Sequence, residues 1–218
     1  MVSAYKSVDR SAWPRNGHDE LFARLEFPFY SITYPVDVTA VADFAHSHKL
    51  SFYHSVMWCV MDALNRIEAF RYRLSGDEVR LYDSLSPSYT CLGDGELFGI
   101  VDVDWERDMN VFRFCELARA AELRRGDLPT AEEDERGDLV FISCLPWISY
   151  TQVTQEATFD RTDSVPRIMW GKYTNENGRK VMPFTIQANH RLIDGIHLKQ
   201  LDEAMKANIL ALEENHER

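Results

Sequence analysis

The segment from Gln187 to His197 carries the side chains best suited to proton-transfer chemistry. His190 stands at the end of a predicted strand, and Asp194 and Gly195 come directly before a predicted helix. An imidazole titrates near neutral pH, so a histidine held on a rigid strand end can act as a general base. Asp194 can cap the helix or fix the loop through an ion pair, and Gly195 permits a tight strand-to-helix turn.

Two other interpretations of this segment stay open. His190, Asp194 and His197 are metal-ligand types, but no fourth ligand at zinc-like spacing accompanies them, so we expect no metal site. The third interpretation is a structural histidine beside a capping aspartate.

The elements that must position this segment follow from hydrophobic periodicity. Helices are predicted at 38–49, 52–70, 109–125 and 195–214, with Phe112 and Phe114 on the inward face of the third helix. Strands are predicted at 70–74, 78–82, 88–92, 97–103, 139–143, 149–153, 167–173 and 181–188, the first two forming a hairpin. Helices covering a mixed sheet predict an α/β two-layer sandwich, which we expect to form one domain over residues 1–218.

Two features between these elements indicate loops. The third helix is expected to stop at Gly126, because glycine commonly ends helices. Six of the twelve residues from 127 to 138 are acidic, which favours a solvated surface loop over an acidic binding loop.

Composition narrows the class of protein and its partners. The chain has 218 residues and a net charge of −11 at pH 7, which argues against nucleic-acid binding and against docking on anionic membranes. No apolar run reaches the length of a membrane span, and the N-terminus lacks the apolar core of a signal peptide. Four widely spaced cysteines without a C-x-x-C pair are expected to be free thiols, so a cytoplasmic location is expected.

The motif H-x-x-x-D-G at 190–195, placed between a strand and a long C-terminal helix, resembles that of the CoA-dependent acyltransferases. Further segments resemble one branch of that superfamily, the chloramphenicol acetyltransferases, in the order and at the spacing of the family. These segments are residues 13–18, 82–84, 141–147, 171–173 and 181–187. The resemblance covers essentially the whole chain, and it implies the fold and the chemistry of that family.

The resemblance assigns four residues to the reaction centre. His190 is implied as the general base that takes a proton from an acceptor hydroxyl, with direct attack on the thioester and no acyl-enzyme. Ser143 matches the serine whose hydroxyl supports the tetrahedral oxyanion. Asp194 matches an aspartate that the family pairs with an arginine, here Arg15, and the pair is implied to hold the histidine loop.

The resemblance also implies the second substrate and the assembly. Lys172 and Tyr173 match positions lining the channel for acetyl-CoA, where a lysine suits a phosphate and an aromatic ring suits adenine. The family forms homotrimers, in which the base of one subunit faces acceptor-binding residues of its neighbour. A homotrimer with interfacial sites is therefore expected.

The acceptor side departs from the family pattern. Phe22 replaces a tyrosine that helps to hold chloramphenicol, and Met169 stands where the family has a threonine. Asn189 replaces a histidine that often precedes the base, and Phe141 replaces an asparagine seen before the oxyanion serine. Phe98 is a further residue expected to line the acceptor pocket.

Three functions follow as hypotheses. The first is O-acetyl transfer from acetyl-CoA to a hydroxyl of chloramphenicol or a similar small molecule, an antibiotic-resistance activity. The second is acyl transfer to a different hydroxyl acceptor. The third is a non-catalytic ligand-binding or assembly protein on the same scaffold, because fold alone does not fix function. Retention of His190 and Ser143 favours an enzyme.

Overall fold

A computed structural model describes residues 2–93, 97–124 and 136–214 of the chain. In this part of the chain the helices are α1 (Asn16–Phe22), α2 (Thr39–Ser47), α3 (Phe52–Arg66), α4 (Glu68–Arg71), α5 (Val111–Leu123) and α6 (Gly195–Glu214). The strands are β1 (Tyr5–Ser7), β2 (Phe29–Asp37), β3 (Tyr72–Ser75), β4 (Glu78–Tyr82), β5 (Ser86–Leu92), β6 (Phe98–Asp102), β7 (Leu139–Leu145), β8 (Arg167–Gly171), β9 (Thr174–Glu176) and β10 (Arg179–Asn189). The predicted helix end at Gly126 and the acidic residues 127–135 lie outside the described residues.

The main sheet is mixed, as predicted. Its strands lie in the order β2-β10-β8-β7-β5-β6, with β9 paired to β10. Strand β7 runs parallel to both β5 and β8, whereas the pairs β2–β10, β8–β10 and β5–β6 are antiparallel. A smaller sheet in the order β1-β4-β3 contains the predicted hairpin, whose turn places Gly76 at a φ of 57°. Glycine adopts this left-handed conformation without a side-chain clash.

Side-chain caps and apolar faces explain where the helices form. The Ser51 hydroxyl accepts a hydrogen bond from the backbone N–H of His54 at the start of α3. The Asn110 side chain accepts one from the N–H of Arg113 at the start of α5. Helices α2, α3, α5 and α6 contact one another and share a single apolar cluster with the central strands. Burial of that cluster is the main favourable contribution to folding.

Alternation along β10 divides its side chains between two faces. Phe184, Ile186 and Ala188 belong to the apolar cluster. Thr185 points to the other face, where it lies in register with Met169 of β8, which in turn pairs with Ser143 of β7. Successive side chains of a strand point to opposite faces, so these three residues form one row on the sheet.

Several local predictions are wrong, and the structure supplies the reasons. Residues 149–153 are not a strand: their backbone pairs with none of the described strands, and the Tyr150 hydroxyl donates a hydrogen bond to the carbonyl of Met169. Helix α3 ends at Arg66, and the chain turns through the short α4 before β3 begins. Phe112 is 48% exposed rather than inward, since it lies over the edge of the helices against Phe44.

Gly195 also differs from its predicted role. Its φ lies outside the left-handed region, and a Cβ placed on it would meet no atom within 4 Å. An L-residue can adopt this backbone conformation. The contacts within one chain therefore do not explain why the turn from β10 into α6 has a glycine.

Candidate active site

The loop between β10 and α6 is fixed by the guanidinium group of Arg15. Its two terminal nitrogens bond the two carboxylate oxygens of Asp194, at 2.5 and 2.7 Å. The same guanidinium donates to the backbone carbonyls of His190, at 2.9 Å, and Arg191, at 2.7 Å. A planar fork of donors suits such a bidentate pair, and the added carbonyl bonds define the path of the loop.

The imidazole of His190 is held between two aromatic rings. The Phe22 ring stacks on it with a centroid distance of 4.0 Å and an interplanar angle of 10°. The Tyr30 ring lies 4.6 Å away on a tilted plane. His190 keeps 35% of its side chain exposed, so the ring is oriented by packing while part of it faces outward from the chain. Phe22, expected on the acceptor side, is therefore placed against the predicted base.

The electrostatics of the loop depend on Asp194. The His190 Nδ1 atom lies 3.1 Å from Asp194 Oδ1, but the two are not aligned for a hydrogen bond, and Nδ1 has no hydrogen-bond partner in the described residues. The Arg15 hydrogen bonds hold the pKa of Asp194 below its ordinary value of 3.8. Burial, and then the Asp194 charge, raise the pKa of the Tyr30 hydroxyl to about 12. Asp194 is therefore an anion beside the ring at neutral pH.

His197 completes the same turn. Its Nδ1 accepts a hydrogen bond from the backbone N–H of Asp194 at 2.9 Å. Burial, together with the Arg15 charge, lowers the pKa of His197, which favours the neutral form that can accept this bond. No group of three or more metal-ligand side chains comes together in the described residues.

Ser143 lies in a separate cavity on the sheet. The cavity has a volume of about 300 Å³, and its lining includes the predicted acceptor residues Phe98 and Met169. The Ser143 hydroxyl lies 3.1 Å from the hydroxyl of Thr90 on the neighbouring strand β5. Phe141 also lines the cavity, with the guanidinium of Arg167 stacked 5.6 Å from its ring centre.

One chain does not bring His190 and Ser143 together. Ser143 shares a row with Thr185, and His190 follows Thr185 along the same strand by five positions. With a rise of ~3.3 Å per residue and a spacing of ~4.8 Å between strands, the two Cα atoms are about 19 Å apart. Side chains of these lengths cannot reach one reacting carbonyl across that distance. The predicted base and the predicted oxyanion donor therefore occupy different places on the chain.

The predicted CoA residues follow β8 directly. Lys172 is exposed, and its backbone N–H donates to the carbonyl of Ile148 at 2.8 Å. Gly171 permits this approach, because a Cβ at that position would lie 2.6 Å from the Ile148 carbonyl oxygen. The Tyr173 ring packs edge-on against Phe52, with centroids 5.6 Å apart.

Sequence reasoning missed three contributors to these sites. Thr90 has no motif of its own and is recognised only by its place beside Ser143 in the sheet. Tyr30 lies on β2, a strand that hydrophobic periodicity did not predict. Asp19 on α1 bonds Arg191 directly after the predicted base, and this contact joins residues far apart in the sequence.

The chain combines a mixed sheet, helices that pack on it and a histidine–aspartate loop at the end of β10. A probable dihydrolipoamide acetyltransferase from Listeria monocytogenes shares this fold, with a TM-score of 0.64 and 14% identity over 90% of this chain and 89% of its own. A family model described as chloramphenicol acetyltransferase matches residues 3–206, and the chain belongs to that family.

Individual relatives agree with this assignment. A chloramphenicol acetyltransferase from Streptomyces acrimycini is 26% identical over 202 residues, covering 91% of each chain. One from Proteus mirabilis is 26% identical over 196 residues, covering 89% of each. A solved structure of a chloramphenicol acetyltransferase superposes with a TM-score of 0.87 and 25% identity, over 94% of this chain and 100% of its own.

Proposed function

We propose that this protein is an acetyl-CoA-dependent O-acetyltransferase acting on chloramphenicol or a similar small hydroxyl compound. The observation that carries the proposal is that Arg15 fixes the backbone of His190 and the side chain of Asp194, while the Phe22 ring stacks on the imidazole. An imidazole held this firmly suits a general base, which must meet its proton at a fixed distance.

The proposed reaction proceeds in two steps. His190 takes the proton of the acceptor hydroxyl through Nε2 while the hydroxyl oxygen forms a bond to the acetyl carbonyl carbon. Ser143 donates a hydrogen bond to the oxygen that gains negative charge, a contribution of about 3 kcal/mol for one well-placed donor. The carbon–sulfur bond then breaks, and His190 returns its proton to the departing thiolate. Lys172 and Tyr173 are proposed to bind the nucleotide end of CoA.

The site is proposed to form between copies of the chain. The separation of His190 and Ser143 within one chain supports this arrangement, because His190 must reach the attacking hydroxyl while Ser143 reaches the oxygen of the carbonyl under attack. A homotrimer, as the family resemblance implies, supplies Ser143, Met169 and Phe98 from one subunit and His190 from its neighbour. A heterologous interface of this kind closes into a ring and builds one site per chain. The domain over residues 1–218 is then one catalytic unit.

We propose a cytoplasmic enzyme that needs no metal and binds neither nucleic acid nor membranes. Among the described residues no helix is long and apolar enough to cross a bilayer.

Thiol release from acetyl-CoA tests the activity. We expect turnover with chloramphenicol or a related hydroxyl compound and a fall of roughly 10²–10⁴-fold in kcat for His190→Ala. His46→Ala, at an exposed histidine on α2, is the matched control and is expected to keep the parental rate. Equal rates for His190→Ala and the parent would show that His190 is not the general base. Saturable acceptor binding without thiol release would instead identify a non-catalytic binding protein.

A further inference from the structure

A second guanidinium–carboxylate pair joins helix α1 to the loop that follows β10. The Arg191 Nε donates to Asp19 Oδ1 at 2.6 Å. In the pair described above, the arginine is on the α1 side and the aspartate is in the loop. Here the aspartate is on α1 and the arginine is in the loop, so the two pairs connect the same two elements in opposite directions.

The second pair is the more deeply buried of the two. The side chains of Arg191 and Asp19 are 8% and 1% exposed, compared with 13% and 28% for Arg15 and Asp194. Arg10 donates to the remaining oxygen of Asp19, so one carboxylate lies between two guanidinium groups. Removing charges from water is costly, and buried pairs of this kind often add little net stability over apolar residues of similar size. A role in fixing geometry accounts for the pair better than a role in stability.

The pair connects directly to the orientation of the predicted base. Asp19 and Phe22 are one turn apart on α1, so they lie on the same side of the helix. Arg191 immediately follows His190. The bond between Asp19 and Arg191 therefore sets the distance between the helix that carries the stacked ring and the backbone that carries the imidazole.

The opposite side of the loop is anchored to the segment before β8. Arg191 donates a second bond to the carbonyl of Arg161, at 2.9 Å. The Asn189 amide donates to the carbonyls of Arg161 and Asp163, at 3.3 and 2.8 Å, and its oxygen accepts from the N–H of Arg191. The family departure at Asn189 thus belongs to the same network, and His190 lies between its two anchored neighbours.

We propose that Asp19 and Arg191 are positioning residues, which hold the Phe22 ring against His190 and so aim the imidazole at the acceptor hydroxyl. Neither side chain reaches the reacting atoms in this arrangement. The inference rests on the proposed function for its effect on turnover. The effect on the histidine ring can be measured independently of any activity.

Kinetics of Asp19→Asn, Arg191→Met and the double variant test the effect on turnover. A displacement near 1 Å at a reacting group can cost about 10²-fold in rate, so we expect kcat to fall roughly 10- to 100-fold. The KM for acetyl-CoA should stay within about twofold, because the pair does not contact the residues proposed to bind CoA. The loss for the double variant should be smaller than the product of the two single losses, since both single variants disrupt the bond between Asp19 and Arg191. Asp62→Asn, which disrupts the Asp62–Arg66 pair on α3, is the matched control and should keep the parental kcat.

NMR of ¹³Cε1-labelled histidine tests the geometry without turnover. The His190 signal, assigned by its loss in His190→Ala, should show the ring-current shift of a stacked aromatic ring. We expect Asp19→Asn and Arg191→Met to reduce this shift as Phe22→Leu does, with the chains still folded by circular dichroism. An unchanged shift and a kcat within twofold of the parent would overturn the inference. If the variants change the shift but the parent protein releases no thiol, the positioning role stands and the proposed acetyltransferase function is wrong.

Discussion

Mixing His190→Ala chains with Ser143→Ala chains should restore turnover, because each variant keeps the half of the site that the other lacks. If His190 and Ser143 have the proposed roles, their separation of about 19 Å within one chain means that a working site takes them from two chains. Each homo-oligomer of a single variant should keep only residual activity, lower by roughly 10²-fold or more.

The size of the recovery follows from random assembly. At equal mixing, His190 is intact in half of the chains and Ser143 is intact in half of their neighbours. About a quarter of the sites are then complete, whatever the number of subunits in a closed ring. The specific activity should follow x(1 − x) in the fraction x of one variant, with its maximum at equal amounts.

The assay is thiol release after the variants are unfolded together in denaturant, mixed and refolded. Two different affinity tags allow mixed oligomers to be isolated by successive purification. The reasoning fails if purified mixed oligomers show only the sum of the two residual activities at every ratio. Parent chains carried through the same refolding give the reference rate.

Three further predictions concern single side chains. Arg15→Met should lower the free energy of unfolding by roughly 2–3 kcal/mol at pH 7, since it leaves a part-buried carboxylate without its partner. The folded-state pKa of Asp194 is lowered, so the stabilisation by this ion pair is present above the ordinary value of 3.8 and is lost as pH falls through the folded-state pKa. The difference between parent and variant should therefore shrink in acid to the part that comes from the two carbonyl bonds of Arg15. A constant difference down to the lowest pH would contradict this. Thr90→Val should reduce kcat about 3- to 10-fold, the worth of one hydrogen bond, whereas a loss as large as that of Ser143→Ala would assign Thr90 a direct role. Lys172→Met should raise the KM for acetyl-CoA about 3- to 10-fold while kcat is preserved, and the KM of the variant should no longer depend on salt concentration. An unchanged KM would show that Lys172 does not contact a phosphate of CoA.

The histidine loop was predictable because its signal is local. The residues of H-x-x-x-D-G are adjacent in the sequence, and the apolar periodicity of α6 begins directly after them. The ends of α6 agree with the prediction for the same reason. The resemblance to a family then supplied Arg15, which no local pattern connects to a loop more than 170 residues away.

The missed elements lack such local signals. Pro35 interrupts β2 and pairs with Pro183 of β10, and prolines inside an apolar run argue against a strand. Strand β2 lies at the edge of the sheet, which is where strands tolerate proline. Asp19 and Arg191 resemble surface charges in the sequence, and only the packing of α1 against the loop brings them into contact. Long-range ion pairs of this kind have no periodicity to detect.

The row that places Ser143 far from His190 also has a consequence for how the enzyme would lose activity. Strand β10 is paired with β2 from Val181 to Asn189 and with β8 from Phe184 to Gln187, so the spacing between the two groups within a chain is effectively constant. In the proposed arrangement, the distance between His190 of one chain and Ser143 of its neighbour is set by the packing of the two chains at their interface. Dilution or mild heating that dissociates the chains would stop turnover while every chain remained folded. Reassociation at higher concentration would restore the turnover.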